Sequence, residues 1–138
     1  MIVFAPFICR NTTFTTPTYP APAGYVLVVD QTRGDASIRH SGASETTFAE
    51  MLAAARQDHP QARIVIRSHP ETMLGHRGAF RSRRWRCPHG DLRRSCLAPG
   101  AVGGAIAVYT VSSQLGFEAI LAGHRPQVFG QPWYAGWG

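Results

Sequence analysis

The sequence predicts an α/β fold with a Rossmann-like parallel sheet. Residues 25–30 (YVLVVD) form a continuous apolar run that ends in an aspartate, which is typical of a central parallel strand covered on both faces, and residues 62–67 (ARIVIR) predict a second buried strand. Between them lies a stripe with helical spacing, made of Phe48, Met51, Leu52 and Ala55. Because the order strand, helix, strand defines a βαβ unit, we expect the two strands to be parallel with a right-handed crossover.

The boundaries of this helix are predicted from capping signals. Thr46 or Thr47 is expected to precede its first turn, with Glu50 three residues beyond Thr47 completing a capping box. The helix is expected to end at His59, because a residue before proline avoids the α-helical region.

A third strand and a second helix are predicted near the C-terminus. Residues 107–111 predict a short buried strand, and an apolar helical pattern runs from there to Gly123, which is expected at the C′ position. Ser112 and Ser113 lie between the two elements. Hydroxyls and backbone N–H groups at a helix start suit a phosphate, and Gly116 in the first turn would let an anion come close. The alternative is that one serine is only an N-cap.

Polar loops follow all three predicted strands. The loop of residues 31–37 follows the first strand, His69 follows the second, and the two serines follow the third. Since ligands of open α/β sheets bind at the carboxyl ends of strands, we expect these loops to converge on one pocket. For the first loop, the alternative is an ordinary turn in which Arg33 and Asp35 pair at the surface.

The charge of the chain is concentrated in one segment. The 138 residues carry a net charge of +6, contain no lysine, and place seven of the 14 arginines within residues 77–94. Without that window, which also holds Asp91, the net charge is zero, so a basic surface is not a general property of the fold. Three cysteines at irregular spacing argue against a disulfide framework and favour a reducing, cytoplasmic setting.

The two ends of the chain differ in character. Residues 1–24, rich in proline and threonine, are predicted to be an irregular leader. Residues 124–130 predict a turn and a short strand. The aromatic and glycine-rich residues 131–138 are predicted to belong to an interface, either with another chain or with further sequence.

Four stretches together resemble a known family. Residues 26–38 (VLVVDQTRGDASI), 64–70 (IVIRSHP), 108–123 (VYTVSSQLGFEAILAG) and 128–138 (VFGQPWYAGWG) resemble the bacterial capsule polysaccharide biosynthesis and export proteins, whose best-known members are β-Kdo transferases. The resemblance covers roughly residues 25–76 and 104–138, and implies the donor-binding half of a GT-B glycosyltransferase. It divides the chain into the leader and a partial nucleotide-sugar-binding domain at 25–138.

The resemblance also implies roles for individual residues. His69 would contact the nucleotide phosphate and act as the catalytic group, with Ser112, Ser113 and Gln114 beside it at the helix start. Glu118 would bind the ribose hydroxyls. The residues expected to line the cleft are Gln31, Arg33 and Asp35. An imidazole beside a phosphate has its charged form favoured, and can therefore protonate or neutralise a leaving group.

The implied substrate is a CMP-activated sugar such as CMP-Kdo, with no metal or other cofactor. A glycolipid acceptor would require an acceptor-binding half from another chain, so we expect this chain to bind a donor without transferring it alone. The expected location is cytoplasmic, at most peripheral to the inner membrane, with no transmembrane segment and no nucleic-acid partner.

Residues 79–103 match nothing in the family and show no hydrophobic period. We interpret them as a frameshifted reading of GC-rich DNA, which the genomic sequence in all frames would test. For this segment the alternatives are a zinc site at Cys87, His89 and Cys96, which lacks a fourth ligand, and an arginine-rich RNA-binding segment. For the chain as a whole, the alternative enzyme class is a nucleotide-sugar epimerase, and the Asp-Gln-Thr-Arg-Gly-Asp motif argues against it.

Overall fold

The computed structural model describes residues 23–67 and 101–137. The predictions for His69, for the arginine-rich window, for Cys87, His89 and Cys96, and for most of the leader lie outside these residues. So does most of the segment 79–103.

The described elements form an α/β fold with one parallel sheet. The strands are β1 (Tyr25–Val29), β2 (Arg63–Arg67), β3 (Ala105–Thr110) and β4 (Gln127–Val128), in the order β2-β1-β3-β4. The helices are α1 (Ala36–His40), α2 (Glu45–Asp58) and α3 (Gln114–Leu121), with a 3₁₀ turn at Ala101–Gly104. All described strand pairs are parallel, which confirms the predicted fold class.

The central position of β1 explains its uninterrupted apolar sequence. It pairs with β2 on one side and with β3 on the other, and all five of its residues are buried. Val29 lies opposite Arg67 of β2, and Val28 lies opposite Tyr109 of β3. The carboxyl ends of these three strands therefore meet at one edge of the sheet.

Each face of the sheet packs against a different helix. On one face, β-strand side chains pack with the inner stripe of α2 and with Ile38 of α1. On the other face, they pack with Leu115 and Ala119 of α3. The stripe predicted for α2 is confirmed, since Phe48, Met51, Leu52 and Ala55 are all buried.

The start of α2 differs from the prediction. Ser44 is the N-cap, and its backbone N–H donates to the Thr47 hydroxyl at 3.1 Å. The predicted cap at Thr46 or Thr47 with Glu50 is therefore wrong, because Ser44 and Thr47 already form the reciprocal pair one turn earlier. The predicted end is confirmed, with His59 as the C-cap.

The end of α3 follows the prediction. Ala122 is the C-cap, and Gly123 follows it with a φ of +89°. A left-handed residue at C′ favours glycine, which has no Cβ to clash with the preceding carbonyl. The short strand predicted within residues 124–130 is β4.

A hydrogen bond between β3 and α2 predicts a loss of stability at high pH. The Tyr109 hydroxyl donates to Asp58 Oδ2 at 2.7 Å, and burial, with the Asp58 carboxylate second, raises the pKa of Tyr109 to about 12. Because the folded pKa lies above the unfolded value of about 10, this contribution is complete below pH 10 and is lost as the pH approaches 12. We expect the free energy of unfolding to fall by about 1–3 kcal/mol across that range.

Urea unfolding at several values from pH 9 to 11.5 measures this effect. Burial also raises the pKa of Tyr25 and of Tyr134, so the wild type must be compared with Tyr109→Phe. The variant should be less stable at pH 9 and should lose less stability on alkaline titration. Parallel pH profiles for the two proteins would contradict the assignment.

Candidate functional site at the ends of β1 and β3

The strand order creates a crevice between the ends of β1 and β3. From β1 the chain continues to β2 on one side, whereas β3 lies on the other side. The helices α2 and α3, which follow β1 and β3, pack on opposite faces of the sheet. A crevice of this kind, where the strand order reverses, is the usual ligand-binding position of open α/β sheets.

Gln31 and Ser112 connect the two sides of this crevice. The Gln31 Oε1 accepts the backbone N–H of Ser112 at 2.9 Å, and Gln31 Nε2 donates to Ser112 Oγ at 3.0 Å. Both residues are buried, with 5% and 9% of their surface exposed. The amide of Gln31 therefore holds the turn between β3 and α3 against the end of β1.

Ser37 attaches the first turn of α1 to the same pair. Its hydroxyl accepts from Gln31 Nε2 at 3.1 Å and lies 3.4 Å from Ser112 Oγ. Its backbone N–H donates to the carboxylate of Asp35, which is the N-cap of α1. Asp35 is thus committed to a cap that fixes the position of Ser37.

Arg33 forms an ion pair with the start of α2. Its guanidinium lies 2.8 Å from Glu45 Oε1, and both side chains are more than half exposed. The alternative pairing of Arg33 with Asp35 is therefore not what the structure shows. An exposed pair of this kind contributes about 0–1 kcal/mol, so Arg33 can reorient at little cost.

The N-terminus of α3 lies directly beyond the buried pair. Ser113 is its N-cap: the Ser113 hydroxyl accepts the N–H of Leu115 at 3.3 Å, and the Ser113 carbonyl accepts the N–H of Gly116 at 3.0 Å. No described residue accepts a hydrogen bond from the N–H of Ser113 or Gln114. These are the donors that a helix start leaves for water or an anion.

Two exposed side chains lie along α3 beyond this end. Gln114 and Glu118 are four residues apart, and both are exposed. Residues at this spacing share one face of a helix. The two predicted site residues are therefore neighbours on the solvent face of α3.

Gly116 does not open the helix start to a ligand. It is buried, and a Cβ at this position would lie 2.8 Å from Thr110 Cγ2 and from Tyr134 Cζ. The expectation that its missing side chain would admit an anion is wrong, because the side chain of Tyr134 fills that space. The Tyr134 hydroxyl donates to the carbonyl of Ser113.

An aromatic cluster surrounds Tyr134. The rings of Phe117 and Trp133 are 4.6 Å apart, and Trp137 packs edge-on against both. Trp133 is 64% exposed and Trp137 is 58% exposed. The interface predicted for residues 131–138 remains a prediction: the two tryptophans contact their aromatic neighbours, and more than half of each side chain stays exposed among the described residues.

The structure thus brings together some of the predicted residues. Gln31 and Ser112 are in contact, Asp35 is connected to them through Ser37, and Ser113 is the next residue along the chain. Sequence reasoning missed the contributions of Ser37 and Tyr134. Gly116, in the first turn of α3, indicated that another group packs closely against the helix, but the local sequence does not show that this group is Tyr134.

Neither a metal-binding cluster nor a membrane-spanning helix is found in the described ranges 23–67 and 101–137. They contain no cluster of three or more histidine, cysteine, aspartate or glutamate side chains suited to a metal ion. No described helix has the length and apolar character needed to cross a bilayer.

The capsule polysaccharide biosynthesis protein family matches residues 10–138 of this sequence. The chain belongs to this family. Its match includes the loop after β1 and the turn before α3, which meet at the crevice, and also residues 131–138, the aromatic segment.

Two proteins of similar sequence are much longer than this chain. The capsule polysaccharide modification protein LipA of Neisseria meningitidis is 37% identical over 120 residues, which make up 86% of this chain and 17% of LipA. The lipopolysaccharide-processing protein LpsZ of Rhizobium meliloti is 33% identical over 126 residues, or 27% of its length. This capsule-family chain therefore spans about a sixth to a quarter of the length of these relatives.

A solved structure shows the same fold. KpsC of Thermosulfurimonas dismutans, a beta Kdo 2,4 transferase, superimposes with a TM-score of 0.77 at 36% sequence identity. The similarity covers 91% of this chain and 39% of the transferase chain.

Proposed function

We propose that this chain is the donor-binding part of a capsule polysaccharide glycosyltransferase, and that it binds a CMP-activated sugar such as CMP-Kdo. The observation that carries the proposal is the crevice between β1 and β3, with the helix start of α3 beside it, in a fold shared with a Kdo transferase at 36% identity.

The phosphate of the donor would bind at the N-terminus of α3. The N–H groups of Ser113 and Gln114 supply donors without an acceptor among the described residues, and the helix dipole favours an anion there by about 0.3–2 kcal/mol. Gln31 keeps the preceding turn in place through Ser112. Preorganised donors of this kind stabilise charge that develops as the nucleotide leaves.

Two further residues complete the proposed site. Glu118, exposed on the second turn of α3, would accept hydrogen bonds from the ribose hydroxyls. His69 follows β2 by two residues, and β2 ends at the same sheet edge as β1. We propose that its imidazole, with the charged form favoured by the phosphate, acts on the leaving group.

Transfer itself is proposed only for an assembly that contains an acceptor-binding part. The chain covers 39% of the transferase to which it is similar, and donor binding is the share of the reaction that its crevice supports. We propose a cytoplasmic location, where activated nucleotide sugars are available, with a glycolipid acceptor at the membrane surface.

Calorimetric titration of the full chain with CMP and with cytidine tests the proposal. Because the two ligands differ only in the phosphate, we expect the chain to bind CMP at least about tenfold more tightly, which corresponds to about 1.4 kcal/mol. His69→Ala should reduce CMP affinity and leave cytidine affinity unchanged. His124→Ala, which removes a histidine beyond the opposite end of α3, is the matched control.

Equal affinities for CMP and cytidine in the wild type would contradict the proposed function. Salt-dependent RNA binding that is lost when residues 81–94 are neutralised, together with no CMP binding, would instead support the arginine-rich alternative.

A further inference from the structure

Tyr134 reaches the helix start of α3 from a different part of the chain. It lies 21 residues after Ser113, is 1% exposed, and donates its hydroxyl proton to the Ser113 carbonyl. That carbonyl belongs to the N-cap residue, so the hydrogen bond acts on the same peptide unit that carries the N–H of Gln114.

The space for this contact exists because residue 116 is a glycine. A Cβ there would lie 2.8 Å from the ring of Tyr134, far inside van der Waals contact. The side chain of Tyr134 therefore occupies the space that a side chain at position 116 would need.

The aromatic cluster holds Tyr134 against α3. Phe117, which follows Gly116 on the helix, packs against Trp133, and Trp133 packs edge-on against Tyr134 at 5.5 Å. Burial raises the pKa of the Tyr134 hydroxyl, with the Thr110 side chain opposing part of the rise, so the hydroxyl remains a donor at neutral pH.

The turn that carries Ser113 is therefore fixed from two sides. Gln31 binds the N–H of Ser112 from the end of β1, and Tyr134 binds the carbonyl of Ser113 from the aromatic segment. Between these two groups lies the Ser113 N–H, and the Gln114 N–H follows the Ser113 carbonyl directly.

We propose that Tyr134 is a positioning residue for phosphate recognition: its hydroxyl orients the Ser113–Gln114 peptide, so that the helix start of α3 presents its free N–H groups to the donor phosphate. This inference rests on the proposed function. It assigns to the aromatic segment a role in the site that does not involve contact with the ligand.

Tyr134→Phe tests the role in the full chain, because it removes the hydroxyl and keeps the ring. The ratio of CMP affinity to cytidine affinity is expected to fall about three- to tenfold, while cytidine affinity stays unchanged. Hydrogen exchange at the amides of Leu115 and Gly116 should accelerate in the ligand-free variant. Tyr109→Phe is the matched control, since it removes a buried, hydrogen-bonded hydroxyl that does not contact α3.

A second variant covers the case in which Tyr134→Phe does not fold. Trp133→Leu loosens the same segment from the exposed side, and a smaller fall in the same ratio is expected. If a folded Tyr134→Phe variant has the same ratio of CMP affinity to cytidine affinity as the wild type, and the wild type prefers CMP, the positioning role alone is overturned. If the wild type binds CMP no more tightly than cytidine, the proposed function itself is overturned. If, in addition, the amides of Leu115 and Gly116 exchange at the same rate in Tyr134→Phe as in the wild type, the proposal that Tyr134 orients the helix start is overturned as well.

Discussion

Replacing Gly116 with alanine is expected to lower the free energy of unfolding by about 2 kcal/mol. Alanine has the better helix propensity by about 1 kcal/mol, so an exposed helical glycine would gain stability from this change. Here the added Cβ meets Tyr134 and the Cγ2 of Thr110 at 2.8 Å, and both residues are buried. The clash must displace Tyr134 or shift α3, because neither neighbour is the free end of a flexible side chain.

Chemical denaturation of Gly116→Ala and of a control glycine variant measures this effect. Gly103 is the matched control, since it is exposed and a Cβ there would meet nothing within 4 Å. Gly103→Ala should change stability by less than about 0.5 kcal/mol, as for most surface substitutions. A Gly116→Ala variant as stable as the control would show that Tyr134 does not occupy the gap.

The second large effect is expected for Gln31→Met, which preserves the length of the side chain and removes its amide. The backbone N–H of Ser112 would then lose its acceptor in a buried position, and the hydroxyls of Ser37 and Ser112 would lose a shared donor. A buried donor without a partner costs about 1–3 kcal/mol. We expect a loss of stability in that range and a weaker preference for CMP over cytidine.

Gln57→Met provides the comparison for this substitution. Gln57 is exposed on α2, so the same chemical change there removes no buried hydrogen bond. The two variants should differ by at least 1 kcal/mol in the free energy of unfolding. Equal stabilities would mean that the contact between the ends of β1 and β3 contributes little to the fold.

The sheet was predictable because burial on both faces leaves a plain signal. Helices cover both faces of β1, and a neighbouring strand pairs with each of its edges. Every residue from Tyr25 to Val29 is therefore apolar. The helix α1 was not predicted, since its five residues lie in a polar loop and bury only Ile38. The cap of α2 was misplaced because Ser44, Thr46 and Thr47 all offer a hydroxyl, and local sequence does not select among them.

The site was predictable in outline and not in its contacts. Polar residues after each strand indicated the crevice, and Ser113 is the N-cap that the pattern suggested. The pairing of Gln31 with Ser112 joins residues 81 positions apart, and no local pattern encodes it. The role of Gly116 was misjudged for the same reason, because the residue that fills its space is distant in sequence.

We propose that the N-terminus of α3 receives the phosphate of a cytidine nucleotide. The most direct test is a nuclear magnetic resonance titration of the ¹⁵N-labelled full chain with CMP and, separately, with cytidine. We predict that the backbone amides of Ser113 and Gln114 shift on addition of CMP and stay in place with cytidine. If CMP binds and these two amides do not move, the phosphate lies elsewhere and the assignment of the site is wrong.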